Sequence, residues 1–242
     1  MKSCKRITQK KLLEIYDTLY TTYGPRGWWP GDSPFEVVIG AILTQNTSWR
    51  NVARAISNLR ENNVLDPKSL FEISTESLAQ LIISSGYYNQ KAKKIKRFME
   101  YFKNYDFQFK KMKEIQTEQL RKELLRLNGV GPETADSILL YALNKPVFVI
   151  DAYTRRLFSR LGFIPEKIEY HELQRIFVKN LPLDVPLFNE YHALIDYFAH
   201  YQCKKRPLCD TCFLKKQCDY WRNTEPAIAS GVDRASRKIR TR

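Results

Sequence analysis

The chain has 242 residues, 43% of them hydrophobic, so it is long enough for one large core or two smaller ones, and a third separately folded domain is not expected. Its 40 Lys and Arg residues against 26 Asp and Glu give a net charge of +14, which is as typical of a polyanion-binding protein as of a basic protein whose charge serves solubility. No stretch approaches the roughly 18 apolar residues of a membrane span and the N-terminus lacks an apolar signal core, so we expect an intracellular protein without membrane contact.

Helical periodicity dominates the chain. Leu12, Ile15 and Leu19 share one face of a first predicted helix, and Ser33 followed by Pro34 is typical of a helix N-terminus. Only residues 147–150 look like a strand, too short to found a sheet, so the sequence predicts an all-α fold. The basic tail, 223–242, has no apolar period and is predicted to be disordered. Further helices are predicted near residues 49–59, 75–84, 90–101, 117–127, 132–143, 152–161, 170–179 and 188–201.

Four of the five cysteines lie close together near the C-terminus: Cys203, Cys209, Cys212 and Cys218. Thiolates at this density suit zinc or an iron-sulfur cluster, and the spacing alone does not decide between them. Structural zinc sites usually present two tight Cys pairs, whereas only one is present here, which favours the cluster.

The segment between the first two of these cysteines is strongly basic. Lys204, Lys205 and Arg206 give the loop a positive surface that could meet a phosphate backbone. Cys4 stands apart from the other cysteines and has no predicted role.

A very short connection, Gly129-Val130-Gly131, joins two predicted helices, and Pro132 stands at the first position of the second. Such a turn leaves backbone amides facing outward, where a phosphate could accept hydrogen bonds, although the turn alone is more typical of an ordinary helix connection. Asp151 precedes the next helix, where Asp is a preferred N-cap; next to a cleft, the same carboxylate could stabilise positive charge on a sugar.

Together these segments resemble the endonuclease III superfamily of DNA glycosylases, the helix-hairpin-helix and Gly-Pro-Asp group. The matching stretches are GAILTQN at 40–46, GYYNQK at 86–91, LNGVGPETA at 127–135, VID at 149–151 and the four-cysteine loop. In this loop the cysteines are separated by five, two and five residues. The resemblance extends over nearly the whole chain up to Trp221.

The resemblance implies two helical lobes with a central DNA-binding cleft: a six-helix lobe at about 25–145, and a lobe of residues 1–24 and 146–222 that holds a C-terminal 4Fe-4S cluster. It implies a monomer, cytoplasmic and associated with the nucleoid, that binds double-stranded DNA and flips a damaged base out of the stack. Asp151 then matches the catalytic aspartate, and Gly129, Val130 and Gly131 match the DNA-binding hairpin.

Side chains that enter the duplex are implied at two more positions. Gln45 and Tyr87 match residues that fill the space vacated by the flipped nucleotide; as alternatives, they are a polar residue at a helix end and a partly buried tyrosine.

One departure from the group bears on the reaction. Members that also cleave the strand place a lysine two residues after the second hairpin glycine, and this chain has Glu133 there. A carboxylate cannot form a Schiff base. We therefore expect a monofunctional enzyme that leaves an abasic site.

The segments at 31–49, 129–142 and 149–156 are most similar to the 3-methyladenine DNA glycosylase branch, which excises alkylated purines. Cationic bases bind aromatic faces, so Trp49 first, and then Trp28 and Trp29, are candidate walls of a base pocket, although each is also a candidate core residue. Two alternatives remain open: excision of a mispaired or damaged pyrimidine (uracil, thymine or an oxidised pyrimidine), and a non-catalytic DNA-binding module with a metal in its cysteine loop.

Overall fold

The computed structural model describes residues 4–29 and 31–229, and side chains up to Thr224. Over these residues the secondary structure is helical and no strand occurs, so the all-α prediction is confirmed. None of the described helices is long and apolar enough to cross a membrane. The α-helices are α1 (Gln9–Tyr23), α2 (Pro34–Leu43), α3 (Trp49–Glu61), α4 (Pro67–Glu72), α5 (Thr75–Leu81), α6 (Tyr88–Lys103), α7 (Phe109–Glu114), α8 (Thr117–Arg126), α9 (Pro132–Ser137), α10 (Ala152–Leu161), α11 (Tyr170–Asn180), α12 (Val185–Tyr201) and α13 (Asp219–Ala229).

The helix starts follow ordinary capping chemistry. The Ser33 hydroxyl accepts a hydrogen bond from the Glu36 amide at 3.2 Å, and Pro34 occupies the first helical position of α2. The three apolar residues that define the predicted face of α1 are buried. Apolar spacing and caps together therefore explain where these helices begin and which face they bury.

The chain forms two compact units. The hairpin unit consists of Gly27–Val149 and Pro182–Glu190. The cysteine unit consists of the chain up to Arg26, Ile150–Leu181 and the chain from Tyr191 onward. Residues 182–190 were expected in the lobe of the cysteine loop, but they belong to the hairpin unit, where the Phe188 ring packs on Phe148 at a centroid distance of 5.3 Å.

Several local predictions differ from the structure. Residues 147–150 are buried but not a strand, since no neighbouring strand is present to pair with them in the described chain. The helix predicted at 132–143 is α9 followed by a turn of π-helix at Ile138–Ala142. The short helices α4 and α7 were not predicted, because six residues carry too little periodicity.

The disordered tail was predicted to begin at residue 223, but 223–229 continue helix α13. The rest of that tail, 230–242, lies outside the described residues.

Candidate active site and cysteine loop

Asp151 is the N-cap of α10 in the cysteine unit. Its Oδ1 accepts hydrogen bonds from the Thr154 amide at 2.7 Å and from the Thr154 hydroxyl at 2.8 Å. The side chain is 11% exposed, so it is largely enclosed but not sealed. The cap role is therefore present, and it occupies only one of the two carboxylate oxygens.

Oδ2, the second oxygen of Asp151, lies 3.7 Å from Nε2 of His192 on α12. One helical turn further on, burial raises the pKa of Asp196, and the negative charge of Asp151 raises it too. His192 and His200 lower that pKa, and His200 Nδ1 lies 3.4 Å from Asp196 Oδ2. His192, Asp196 and His200 of α12 thus form a group of imidazole and acidic side chains beside the candidate catalytic residue, which the sequence analysis did not predict.

The two glycines of the hairpin, in the hairpin unit, differ in backbone conformation. Gly129 has φ +95°, and a Cβ there would lie 2.6 Å from the side chain of Lys94, so only glycine fits. Gly131 has φ −87°, and a Cβ there would meet nothing within 4 Å. Nothing in the described chain requires glycine at Gly131. The open space there would allow a DNA phosphate to approach the hairpin backbone.

The hairpin is braced on both sides. On one side, the Gln45 amide donates to the Gly129 carbonyl at 3.1 Å and to the Thr134 hydroxyl at 2.9 Å, and its oxygen accepts from the Lys94 ammonium.

On the other side, Arg121 of α8 and Asp136 of α9 form a two-pronged ion pair at 2.6 and 3.0 Å. Asp136 is fully buried. Neither contact was anticipated, because partners so distant along the chain leave no local signal.

Three predicted contact residues differ in how open they are. Tyr87 precedes α6 in the left-handed region and is 72% exposed. Glu133 is exposed in the first turn of α9. Gln45, by contrast, is held against the hairpin, so any insertion into a duplex requires those hydrogen bonds to break; its insertion stays a prediction.

Trp28, Trp29 and Trp49 are packed together in the hairpin unit. Ring centroids lie 5.5 Å apart for Trp28 and Trp29, 5.5 Å for Trp29 and Trp49, and 6.2 Å for Trp28 and Trp49. Tyr141 adds a fourth ring at 5.1 Å from Trp29. Each tryptophan is only partly buried, so the cluster is not sealed core. Trp28, Trp29 and Tyr141 also line a cavity of about 280 Å³.

The four cysteines of the C-terminal loop line one pocket, with apolar walls that include Leu157, Phe198 and Leu214. None of them is in a disulfide. Burial, together with the electrostatic effect of the other three thiols, raises the pKa of Cys212 to about 11. The four thiols are therefore close enough to interact electrostatically. No described group of three or more His, Cys, Asp or Glu is arranged to hold a single metal ion.

Arginines from α10 fasten the first spacer of this loop. Arg160 donates to the Sγ of Cys203 at 3.2 Å and to the carbonyls of Lys204 and Lys205 at 2.6 and 3.0 Å. Arg156 donates to the Cys203 carbonyl at 2.9 Å. The backbone of the spacer between Cys203 and Cys209 is thus held by these two arginines.

The outward side of this spacer is basic. The side chains of Lys204, Lys205 and Arg206 are exposed, and their contact with a phosphate backbone stays a prediction. The N-terminal segment fastens the far end of the loop, where the Lys5 ammonium donates to the Gln217 carbonyl at 2.7 Å and pairs with Asp219 at 2.8 Å.

Comparison with known proteins identifies the group. The HhH-GPD superfamily base excision DNA repair protein family matches residues 39–183. A protein of Methanocaldococcus jannaschii named "Putative DNA repair glycosylase" is 48% identical over 86% of this chain and 95% of its own. Endonuclease III of Thermotoga maritima is 32% identical over 78% of this chain and 84% of its own.

A solved structure is similar throughout its length. The Helicobacter pylori 3-methyladenine DNA glycosylase bound to 1,N6-ethenoadenine has a TM-score of 0.70 and 28% identity, and the match covers 80% of this chain and 98% of that one. This chain therefore belongs to the HhH-GPD superfamily, in the endonuclease III group, and is a base excision repair DNA glycosylase.

Proposed function

We propose that the enzyme hydrolyses the N-glycosidic bond of a flipped-out alkylated purine such as 3-methyladenine, without cleaving the strand. The observation that carries the proposal is the hydrogen bonding of Asp151. Thr154 binds its Oδ1, while Oδ2 takes no part in the cap. An ionised Oδ2 beside the anomeric carbon stabilises the positive charge that develops as the base departs, and accepts a proton from the attacking water.

The surroundings of the hairpin support a reaction without a Schiff base. Glu133 stands where strand-cleaving members carry lysine, and a carboxylate cannot attack the sugar as an amine does. Two lysines of α6 are otherwise engaged. The Lys91 ammonium is buried and donates to the carbonyls of Leu43 and Ser85 at 2.8 and 2.6 Å, and the Lys94 ammonium is bound to Gln45.

The tryptophan cluster supports an alkylated purine as substrate. Alkylation gives the base a positive charge, and the face of an indole attracts cations. Trp49, Trp28 and Trp29 are each partly exposed, and their ring centroids lie within 6.2 Å of one another. The similar Helicobacter pylori enzyme is named for 3-methyladenine and was solved with an alkylated adenine derivative, which favours the same class of base here.

Contacts to double-stranded DNA are assigned to three surfaces. The amides of Gly129, Val130 and Gly131 bind a phosphate, and Tyr87 and Gln45 fill the space left by the flipped nucleotide. The third surface is the exposed basic spacer of the cysteine loop, Lys204, Lys205 and Arg206, which neutralises phosphates of the same duplex. A monomer suffices for these contacts.

We further propose that Cys203, Cys209, Cys212 and Cys218 hold a 4Fe-4S cluster, which would fix the loop in its folded form. Each thiolate of such a cluster binds a different iron, so the sulfurs need not converge on one point, in keeping with the lack of a single-ion site among the described residues. The Arg160 donor to Cys203 Sγ suits a ligating thiolate, which accepts hydrogen bonds.

The decisive experiment is a panel of duplexes that each carry one lesion: 3-methyladenine, 1,N6-ethenoadenine, uracil, a G·T mismatch and an oxidised pyrimidine. We expect release of the alkylated purines as free bases, with strand scission only after alkali. Scission without alkali would contradict the monofunctional mechanism. Release of pyrimidines alone would move the substrate to the alternative class, and binding without any base release would favour a non-catalytic module.

A further inference from the structure

His192 is the side chain that faces the free oxygen of Asp151. Its Nε2 lies 3.7 Å from Oδ2, and the two side chains are 9% and 11% exposed. At this distance the contact is electrostatic rather than a hydrogen bond. A small shift of the carboxylate would convert it to one.

His192 lies within helix α12, so the helix backbone fixes the position of its side chain relative to its helical neighbours. His192, Asp196 and His200 follow one another at intervals of four residues, so they share one face of the helix. The Asp196 carboxylate is affected by the charges of Asp151, His192 and His200 together. The imidazole thus stands in an electrostatic group whose members lie on a helix and on the cap of α10.

We propose that His192 is a positioning residue for Asp151: its Nε2 fixes the orientation of Oδ2 toward the sugar, an inference that rests on the proposed function. Rotation about the Cβ–Cγ bond moves both carboxylate oxygens together, and the Thr154 hydrogen bonds resist it at the Oδ1 end. A donor beside Oδ2 holds the other end of the carboxylate and so limits the same rotation. Misorientation of a catalytic group lowers the rate without weakening binding, because the group acts on the transition state.

Substitutions of His192 test the proposal, because a positioning residue should affect the excision rate but not the affinity for DNA. His192→Leu keeps an apolar volume but removes the donor, and we expect a single-turnover excision rate about 10- to 100-fold lower with the DNA Kd unchanged. His192→Gln should recover most of the rate, because the amide nitrogen of Gln reaches the position of Nε2. His192→Asn should not, because its amide nitrogen reaches only the position of Nδ1.

The matched control is His171→Leu, which makes the same exchange at an exposed histidine of α11. We expect it to leave both rate and affinity as in the parent enzyme. A His192→Leu variant that excises at the parent rate would overturn the proposal, and so would an Asn variant that recovers as much rate as the Gln variant. Circular dichroism on each variant identifies any that fails to fold.

A second measurement needs neither activity nor a variant at His192. At one fixed pH, the imidazole resonances of the three histidines can be compared by NMR in the parent and in Asp151→Asn. We expect the His192 resonances to shift in the variant, because the group 3.7 Å from its Nε2 has changed from a carboxylate to an amide, while those of His171 stay in place. Unmoved His192 resonances would overturn the inference.

The two measurements separate the failures. If the parent enzyme releases no base from any lesion, the proposed function has failed; the NMR comparison still decides whether the His192 imidazole and the Asp151 carboxylate interact.

Discussion

Asp151 accepts two hydrogen bonds from Thr154, and both end on the same oxygen, Oδ1. From the sequence, this aspartate was a candidate for a helix cap and for a catalytic group, two roles that can coexist. In the structure the cap uses one oxygen, so the two roles do not compete for the same atom. Stability and activity can therefore be separated by substitution at this single position.

Asp151→Asn should abolish most activity and leave stability nearly unchanged. Asn keeps an oxygen that caps α10, so the free energy of unfolding should stay within about 0.5 kcal/mol of the parent. Loss of the ionised carboxylate should lower the excision rate by at least about 100-fold. Asp151→Ala should show the same loss of rate and in addition cost about 1 kcal/mol, since the cap is lost. Base release by Asp151→Asn at the parent rate would contradict the catalytic role of Asp151.

Alanine at the two hairpin glycines should have opposite profiles. Gly129→Ala forces a side chain into the left-handed region and against Lys94, so we expect a loss of about 1–2 kcal/mol in denaturant unfolding. Gly131→Ala meets no atom within 4 Å and should fold as the parent does. Its methyl group would project from the hairpin surface, so its affinity for DNA should fall. Parent-like DNA affinity for Gly131→Ala would show that no phosphate approaches there.

The elements that could be predicted from sequence are those with a local signal. The apolar face of α1, the cap and proline of α2 and the short glycine turn each lie within a few neighbouring residues, and the structure contains them. The brace between Arg121 and Asp136 and the contact between His192 and Asp151 join residues from separate helices. No spacing rule connects such partners, because tertiary packing alone brings them together.

The tryptophans show a different limit of sequence reasoning. Each of them was a candidate for core or for pocket, since a large aromatic residue suits both. The structure packs all three together with rings partly exposed, an arrangement that depends on where α3 begins relative to the loop before α2. Periodicity predicts the helices but not this mutual arrangement.

Lys91 should make stability depend on pH. Burial lowers its pKa from 10.5 to about 8. Between these values the unfolded chain keeps a proton that the folded chain has released, so the free energy of unfolding should rise with pH through this interval. Lys91→Met should lose that rise. Denaturant unfolding at pH 7 to 10 measures it, and Lys93→Met, at an exposed position of the same helix, is the control. A constant difference between parent and Lys91→Met across this range would contradict the prediction.

Cys209→Ser should remove the cluster. A serine hydroxyl is a poor replacement for a thiolate, so we expect loss of the visible absorption of the purified protein, loss of bound iron and a lower melting temperature. Cys4→Ser makes the same exchange at an exposed cysteine and should leave the absorption unchanged. Stoichiometric zinc and colourless protein from the parent chain would instead favour the zinc alternative.

Glu133→Lys should add strand cleavage to base release. Glu133 is exposed in the first turn of α9, two residues after Gly131, at the position where the resemblance implies a lysine in strand-cleaving members. An amine there can attack the sugar and form an imine, which borohydride reduces to a stable protein–DNA adduct. We expect such an adduct, and scission without alkali, from the variant and not from the parent.

Charge alone must be excluded as the cause of any such gain, because the exchange also makes the hairpin more basic and should tighten binding to phosphate. Glu118→Lys makes the same change of charge at an exposed position in the first turn of α8. If this control also forms the adduct, the amine is reacting from a non-specific complex. If only Glu133→Lys forms it, the first turn of α9 faces the sugar, and the carboxylate there is the reason that the parent enzyme stops at the abasic site.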